Sequence, residues 1–222
     1  MSRTRLVIFD CDGVLVDSEP VANRTLGQAL RELGLDLTQE QIFENFVGYS
    51  LQHCLRIIEQ MLGRAPPENF LRDLQARTFA AFKSELRAMP GIEQALDALD
   101  DAGVPYCVAS SGDHEKMNTT LGITGLLPRF AGRIFSVTQV ARGKPAPDIY
   151  LFAAEQMRVE PASCAVVEDT PPGVKAGVAA GMTVFGFCAF TPAQKLRAAG
   201  AHRTFDEMRR LDEMLASVRI DG

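Results

Sequence analysis

The chain has 222 residues, of which 46% are hydrophobic, and its mean hydropathy is +0.00. These values are typical of a globular protein with one large domain or two modest ones. The net charge of −5 argues against a surface that binds nucleic acid or an anionic membrane. We expect neither a membrane span nor a signal peptide, because no apolar run is long enough for either.

The first predicted element is a buried strand that ends in two carboxylates. An apolar run that begins at Leu6 leads directly into Asp10-Cys11-Asp12. Because side chains at i and i+2 of an extended chain point to the same face, Asp10 and Asp12 should project together. The carboxyl edge of an open α/β sheet binds ligands, and adjacent acids repel each other, so this placement indicates chemistry or a cation. Cys11 should point to the opposite face, which argues against it as a nucleophile.

The next segment, residues 17–87, contains no convincing strand. Its apolar residues recur at helical spacing, and glycines and prolines separate the stripes. Thr38-x-x-Gln41 has the pattern of a capping box at the start of one helix. The sequence therefore predicts a helical cap domain, residues 17–87, inserted into a core made of residues 1–16 and 88–222. We expect an insertion after the first strand to cover the carboxyl edge of the sheet.

The remainder of the chain alternates predicted strands with amphipathic helices. This alternation is typical of βαβ units and of a parallel sheet. We therefore expect an α/β fold with a Rossmann-like parallel core. The predicted strands are Leu6–Phe9, Tyr106–Ala109, Ile134–Val137, Ala165–Val167 and Thr183–Phe187.

Two groups in the core segment suit a phosphate. Ser110-Ser111 follows the second predicted strand, where a hydroxyl and backbone N–H groups can meet a phosphate oxygen. Lys144 lies in a loop stiffened by Pro145. Taken alone, the serines are better explained as a helix N-cap and the lysine as a surface residue.

Further acids follow the fourth predicted strand, at Glu168-Asp169. Taken alone they suit an acidic helix start. With Asp10 and Asp12, however, they would gather four carboxylates at one edge, and such a cluster requires a cation. All-oxygen ligands favour Mg²⁺, whereas the histidines lie too far apart in sequence to indicate a zinc site.

In this order, these residues resemble the four motifs of the haloacid dehalogenase superfamily of phosphohydrolases. The first motif, DxDGxLxDS, corresponds to residues 10–18, and the second to Ser110. The third corresponds to Lys144, and the fourth to Glu168-Asp169. The resemblance covers essentially the whole chain. The helical insertion resembles the small bundle cap of the subgroup that contains phosphoglycolate phosphatases and β-phosphoglucomutase.

The resemblance implies a role for each aspartate and a magnesium cofactor. Asp10 would attack phosphorus and form an aspartyl-phosphate, while Asp12 would protonate the leaving oxygen and then activate water. Mg²⁺ would be held by the Asp10 carboxylate, the Asp12 backbone carbonyl and Asp169, with Glu168 as a further candidate.

The resemblance also implies a site for the phosphoryl oxygens. Ser110, the Ser111 N–H group and Lys144 would hold them. We therefore expect hydrolysis of small phosphate monoesters, such as sugar phosphates, by a cytoplasmic enzyme. The scattered cysteines suit reduced thiols, and the chain would be a monomer or a small homo-oligomer.

Three alternatives remain open at this point. Asp12 argues against dehalogenation, since a departing halide needs no proton. A β-phosphoglucomutase-like phosphomutase is disfavoured because Ala22 stands where such enzymes carry a histidine. A binding protein that has kept the fold without turnover is the third alternative. The uncharged loop at Gly48 and Tyr49 is a candidate reader of the leaving group, or a plain interhelical turn.

Overall fold

A computed structural model describes residues 4–46 and 51–217. The chain divides into two compact units, of which one combines Met1–Val16 with Ala88–Gly222 and the other is Asp17–Arg87. The first unit contains a sheet with flanking helices, and the second is built from helices. Each unit has its own apolar core.

The sheet has six parallel strands in the order β3-β2-β1-β4-β5-β6. This arrangement confirms the predicted α/β fold with a Rossmann-like parallel core. The sixth strand was missed because it is a short edge strand that begins with an exposed arginine and lacks an apolar run. The strands are β1 Leu6–Phe9, β2 Tyr106–Ser110, β3 Ile134–Ser136, β4 Cys164–Glu168, β5 Thr183–Phe187 and β6 Arg203–Phe205.

Helices surround the sheet and form the inserted unit. None of the helices in the described ranges is long and apolar enough to cross a bilayer. In chain order they are α1 Glu19–Glu32, α2 Gln39–Phe46, α3 Leu51–Leu62, α4 Phe70–Glu85, α5 Ile92–Asp101, α6 His114–Ile123, α7 Asp148–Gln156, α8 Pro171–Ala179, α9 Ala193–Ala198 and α10 Leu211–Ser217.

One face of the sheet packs against α7, α8 and α9. Leu6 and Ile8 of β1 lie in this core cluster together with Ile149 of α7. Helix α8 approaches closely because Gly177 faces the sheet, where a Cβ would lie 2.7 Å from Cγ2 of Val184. The Ala- and Gly-rich sequence of α8 thus has a packing reason.

The helical unit, residues 17–87, consists of α1 to α4. Its capping box forms as the sequence predicts, since the Thr38 N–H group donates to Gln41 Oε1 at 2.9 Å and the Gln41 N–H group donates to Thr38 Oγ1 at 3.2 Å. Its core contains Leu30, Ile42 and Ile58, which are all buried. Apolar stripes on separate helices therefore meet in one cluster, as expected for an independent helical core.

Candidate active site

The register of three neighbouring strands decides which residues meet at the carboxyl edge. Phe9 of β1 pairs with Val108 of β2 and with Val167 of β4. The next position on each strand is therefore Asp10, Ala109 or Glu168. The chain reverses its direction of winding between β1 and β4, and ligands bind in the crevice at such a switch point.

Lys144 brings these three positions together. Its Nζ donates to Asp10 Oδ1 and to Glu168 Oε1, both at 2.7 Å, and lies 3.4 Å from the Ala109 carbonyl oxygen. Only 6% of the Lys144 side chain is exposed. A buried ammonium with two carboxylate partners is electrostatically compensated, so this lysine is part of the site and not a surface residue.

Glu168 is fully engaged by donors of its own unit. Oε1 accepts from Lys144 and from the Tyr150 hydroxyl at 3.0 Å, while Oε2 accepts from the Thr170 N–H group at 2.8 Å and its hydroxyl at 2.9 Å. The carboxylate lies where a Cβ on Gly173 would be 1.6 Å from Oε1. Because a carboxylate offers about four acceptor positions, these contacts use its capacity.

Asp10 lies in an acidic group that suits a metal ion. Oxygens of Asp10, Glu168 and Asp169 lie within 4.8 Å of one another, and all three residues are buried. With Lys144, the group has three carboxylates and one ammonium, hence a formal charge of −2 when all are ionised. Hard oxygen ligands with this charge suit a divalent cation such as Mg²⁺.

The pKa of Asp10 reflects this crowding. Burial raises it from 3.8 to about 7, because desolvation outweighs the attraction of Lys144 and because Glu168 adds repulsion. With Lys144 as its cationic partner, Asp10 is therefore only partly ionised at neutral pH. A cation bound at the acidic group would favour the ionised form.

A glycine in the first motif makes room for Asp169. Gly13 has a φ of 72°, and a Cβ there would lie 2.1 Å from Asp169 Oδ2. Any larger residue would meet both a backbone penalty and a clash with the carboxylate. The glycine of the DxDG pattern thus lets the loops after β1 and β4 approach each other.

Asp12 has a different partner from Asp10. Its Oδ2 accepts from Lys116 Nζ at 2.7 Å, and the two side chains are 21% and 35% exposed. Lys116 lies in the first turn of α6, which is capped by the Asp113 side chain. The helix cap after β2 is therefore Asp113, and the serines before it are available for another role.

Ser110 and Ser111 lie at the end of β2, next to Ala109. Ser110 is buried, and its Oγ accepts from the Gly112 N–H group at 3.1 Å, whereas Ser111 is exposed. Ser136 of β3 donates to the Gly112 carbonyl oxygen at 2.8 Å and so braces this loop. The loop is thus held at the same edge of the sheet as Asp10.

Cys11 is a buried residue that lies against Thr120 of α6. It is 1% exposed, its Sγ lies 3.9 Å from Thr120 Oγ1, and its pKa is raised well above the usual value by burial and by the negative charges of Asp12 and Asp10. A buried thiol of this kind is a poor nucleophile.

Sequence reasoning missed Lys116, Tyr150 and Thr170. A lysine in the first turn of a helix is unfavourable for the helix dipole, and such a position indicates that the lysine has an acidic partner elsewhere in the fold. The sequence around Tyr150 gives no such indication, because a tyrosine among apolar helix residues is predicted to be a core residue. The predicted cap loop at Gly48 and Tyr49 lies outside the described residues.

The comparisons with known proteins agree with this geometry. A family model of haloacid dehalogenase-like hydrolases matches residues 4–181. The chain is 36% identical over 193 residues to the 6-phosphogluconate phosphatase of Escherichia coli (strain K12), a match that covers 85% of each chain. These matches confirm the predicted enzyme class, a hydrolase of phosphate monoesters.

Two solved structures are similar along nearly the whole chain. One is a conserved haloacid dehalogenase-like protein of unknown function from Agrobacterium tumefaciens str. C58, with a TM-score of 0.86 and 32% identity over 96% of this chain and 98% of that one. The other is a HAD family hydrolase from Deinococcus radiodurans R1 with bound phosphate and sodium. It has a TM-score of 0.82 and 34% identity over 97% and 96% of the two chains. Sequence, fold and site thus lead to one conclusion: this chain belongs to the haloacid dehalogenase-like hydrolases.

Proposed function

We propose that this enzyme hydrolyses small phosphate monoesters, sugar phosphates or related metabolites, with Mg²⁺ and through an aspartyl-phosphate. The observation that carries the proposal is the buried Asp10 carboxylate, held by Lys144 beside Asp169 at the carboxyl edge of the sheet. A buried carboxylate next to a fixed cation is suited to attack a phosphoryl group, because the lysine offsets repulsion between the two anions.

In the first step, an oxygen of Asp10 attacks phosphorus, and the bond from phosphorus to the ester oxygen breaks. Asp12, which follows at i+2, gives its proton to the departing oxygen, so the product leaves as an alcohol. In the second step, water attacks phosphorus and transfers a proton to Asp12. The bond between Asp10 and phosphorus then breaks, and inorganic phosphate and both carboxyl groups are regenerated.

The metal would be held by the carboxylates of Asp10 and Asp169 and by the backbone carbonyl of Asp12. When bound, Mg²⁺ would supply positive charge to the phosphoryl oxygens and keep Asp10 ionised. We assign Glu168 a different task, because four hydrogen bonds from Lys144, Tyr150 and Thr170 already occupy its oxygens. Glu168 would position Lys144.

The remaining phosphoryl oxygens would be held by the loop after β2. Ser110 would donate its hydroxyl and Ser111 its backbone N–H group. Both follow Ala109, whose carbonyl oxygen lies 3.4 Å from Lys144 Nζ. Donors on this loop and on Lys144 would therefore meet one phosphoryl group from two sides.

The relatives support the proposed substrate class. A 6-phosphogluconate phosphatase is among them, so we propose small phosphorylated sugar derivatives for this chain. Gly48 and Tyr49 remain the proposed readers of the leaving group, and residues 17–87 the proposed cap. Cytoplasmic localisation fits the five free cysteines.

The proposal is tested by incubating the enzyme with Mg²⁺ and a panel of sugar phosphates and measuring free phosphate. We expect release from several substrates, a loss of roughly 10³-fold or more in Asp10→Asn, and no loss in the surface variant Asp212→Asn. Acid quenching should trap one phosphoryl group on the peptide that contains Asp10.

Two results would contradict hydrolysis. Isomerised sugar phosphate with negligible free phosphate would identify the phosphomutase alternative, which Ala22 disfavours. Equal phosphate release by the wild type and Asp10→Asn would rule out a covalent intermediate on Asp10.

A further inference from the structure

We propose that Lys116 is a positioning residue that aims the carboxyl group of Asp12 at the leaving oxygen. This inference rests on the proposed hydrolysis of phosphate monoesters. Its basis is the contact of Lys116 Nζ with Asp12 Oδ2 at 2.7 Å, across 104 positions of the chain. Asp10 and Asp12 thus each have their own lysine, with Lys144 on Asp10 and Lys116 on Asp12.

Helix α6 is built to present this lysine. Asp113 caps the helix by accepting from the Lys116 N–H group at 2.7 Å, which fixes the backbone of the first turn. The stem of Lys116 passes over Gly112, where a Cβ would lie 3.5 Å from its Cδ. A cation in the first helix turn is unfavourable for the helix dipole, so its ion pair offsets a local cost.

The same helix contacts the first motif at a second point. One turn after Lys116, Thr120 lies 3.9 Å from Cys11 Sγ, and its hydroxyl donates to the Lys116 carbonyl oxygen at 3.0 Å. Cys11 and Asp12 are adjacent in the first motif, and both contact α6. The helix therefore fixes the loop that carries Asp12 as well as its side chain.

Orientation matters more for Asp12 than for a residue that only binds substrate. A general acid must lie within hydrogen-bond distance of the oxygen that it protonates, and restricting its rotamers beforehand lowers the entropy lost in the transition state. The side chains of Asp12 and Lys116 are 21% and 35% exposed, so without the ion pair the carboxyl group would have water as an alternative partner. Lys116 would act through Asp12 and not on the phosphoryl group.

The leaving group provides a specific test. An alkoxide needs protonation as it departs, whereas 4-nitrophenolate leaves without a general acid. Because kcat/KM reports the steps up to formation of the phosphoenzyme, Lys116→Met should lower kcat/KM roughly 10- to 100-fold for a sugar phosphate. For 4-nitrophenyl phosphate the loss should stay below about 3-fold.

Three controls accompany this comparison. Lys116→Arg keeps the charge and should recover part of the activity with sugar phosphate. The exposed Lys195→Met removes a cation from the same unit and should leave both esters unaffected. In an Asp12→Asn background, Lys116→Met should cause no further loss, because the lysine would have no acid to position.

Equal losses for the two esters, with weaker inhibition by inorganic phosphate, would show that Lys116 binds the phosphoryl group and would overturn the proposal. Unchanged or higher kcat/KM for sugar phosphate in Lys116→Met would overturn it as well. In both cases phosphate release by the wild type leaves the proposed function intact. If the wild type hydrolyses neither ester, the proposed function and this inference fail together.

Discussion

In the sheet unit, Asp10 and Asp12 each pair with a lysine at the same separation but in very different surroundings. Lys144 and Asp10 are 2.7 Å apart with side chains 6% and 9% exposed, whereas Lys116 and Asp12 are 2.7 Å apart with side chains 35% and 21% exposed. The first pair belongs to a network with Glu168 and Tyr150. The second lies at a helix start within reach of solvent.

The difference indicates that burial, and not distance, determines how much such an ion pair contributes to stability. Water screens the attraction between Lys116 and Asp12, so their pair should add little to stability and can change partner during a reaction. Lys144 and Asp10 have given up hydration, so each depends on the other. The buried pair suits the proposed nucleophile Asp10, and the partly exposed pair suits the proposed proton donor and acceptor Asp12.

The largest expected effect comes from breaking the buried pair. Lys144→Met would leave Asp10 and Glu168 without their ammonium partner, and we expect the free energy of unfolding to fall by about 3–5 kcal/mol. Urea denaturation in the presence of a chelator measures this change. Lys195→Met should stay within about 0.5 kcal/mol of the wild type. A loss below 1 kcal/mol for Lys144→Met would mean that the buried pair does not behave as we describe.

A second change disturbs the buried network without removing a charge. In Gly173→Ala the new methyl group would lie 1.6 Å from Glu168 Oε1, so the carboxylate must move away from Lys144. We expect destabilisation by about 2–3 kcal/mol, together with a loss of activity. Gly122→Ala in α6 is the matched control.

At Gly122 a Cβ would lie 3.9 Å from Leu127 Cδ2, which is ordinary contact. Because alanine favours a helix more than glycine does, Gly122→Ala should raise stability by about 0.5–1 kcal/mol. Similar denaturation curves for Gly173→Ala and Gly122→Ala would contradict the tight packing of Glu168.

Metal binding should depend on pH through the buried pair. The pKa of Asp10 is raised from 3.8 to about 7 in the folded, metal-free protein, so the folded state binds this proton more tightly than the unfolded chain does. The stability of the metal-free protein should therefore fall as pH rises from about 4 to about 7. At pH 8 a cation would bind an Asp10 carboxylate that is already ionised, but at pH 6 it would have to displace the proton of Asp10.

We accordingly expect Mg²⁺ to raise the melting temperature by on the order of 5 °C at pH 8 and by less at pH 6. Differential scanning fluorimetry on chelator-treated protein measures both shifts. Asp10→Asn should abolish the difference between the two pH values. If Mg²⁺ raised the melting temperature of the wild type equally at pH 6 and pH 8, Asp10 would not be a ligand of the metal.

The smallest effect should come from the partly exposed pair of Lys116 and Asp12. Lys116→Met should change the free energy of unfolding by less than about 1 kcal/mol, because a partly exposed ion pair is weak and the helix dipole gains from losing a cation. Urea denaturation beside Lys144→Met gives the comparison directly. If Lys116→Met lowered the free energy of unfolding as much as Lys144→Met does, exposure would not explain the difference between the two pairs.

Much of the fold was predictable because the signals are local. Apolar runs mark β1, β2, β4 and β5, and Thr38 and Gln41 mark a helix start that needs only neighbours in sequence. The edge strand β6 carries no such signal, since its pairing with β5 comes from position in the sheet. That Asp10 and Asp12 project together stays a prediction from the alternation of side chains along a strand, and the acidic group of the structure contains Asp10, Glu168 and Asp169.

The sequence by itself determined that Asp10, Glu168 and the serines follow parallel strands and so lie at one edge of the sheet, whereas only the family resemblance predicted that Lys144 joins them. Only the tertiary structure decided which of these residues contact one another. Register places Glu168 beside Asp10, burial raises the pKa of Asp10, and helix α6 brings Lys116 to Asp12. Pairing across more than 100 positions and the loss of water depend on packing, so no pattern of neighbouring residues can encode which lysine serves which aspartate.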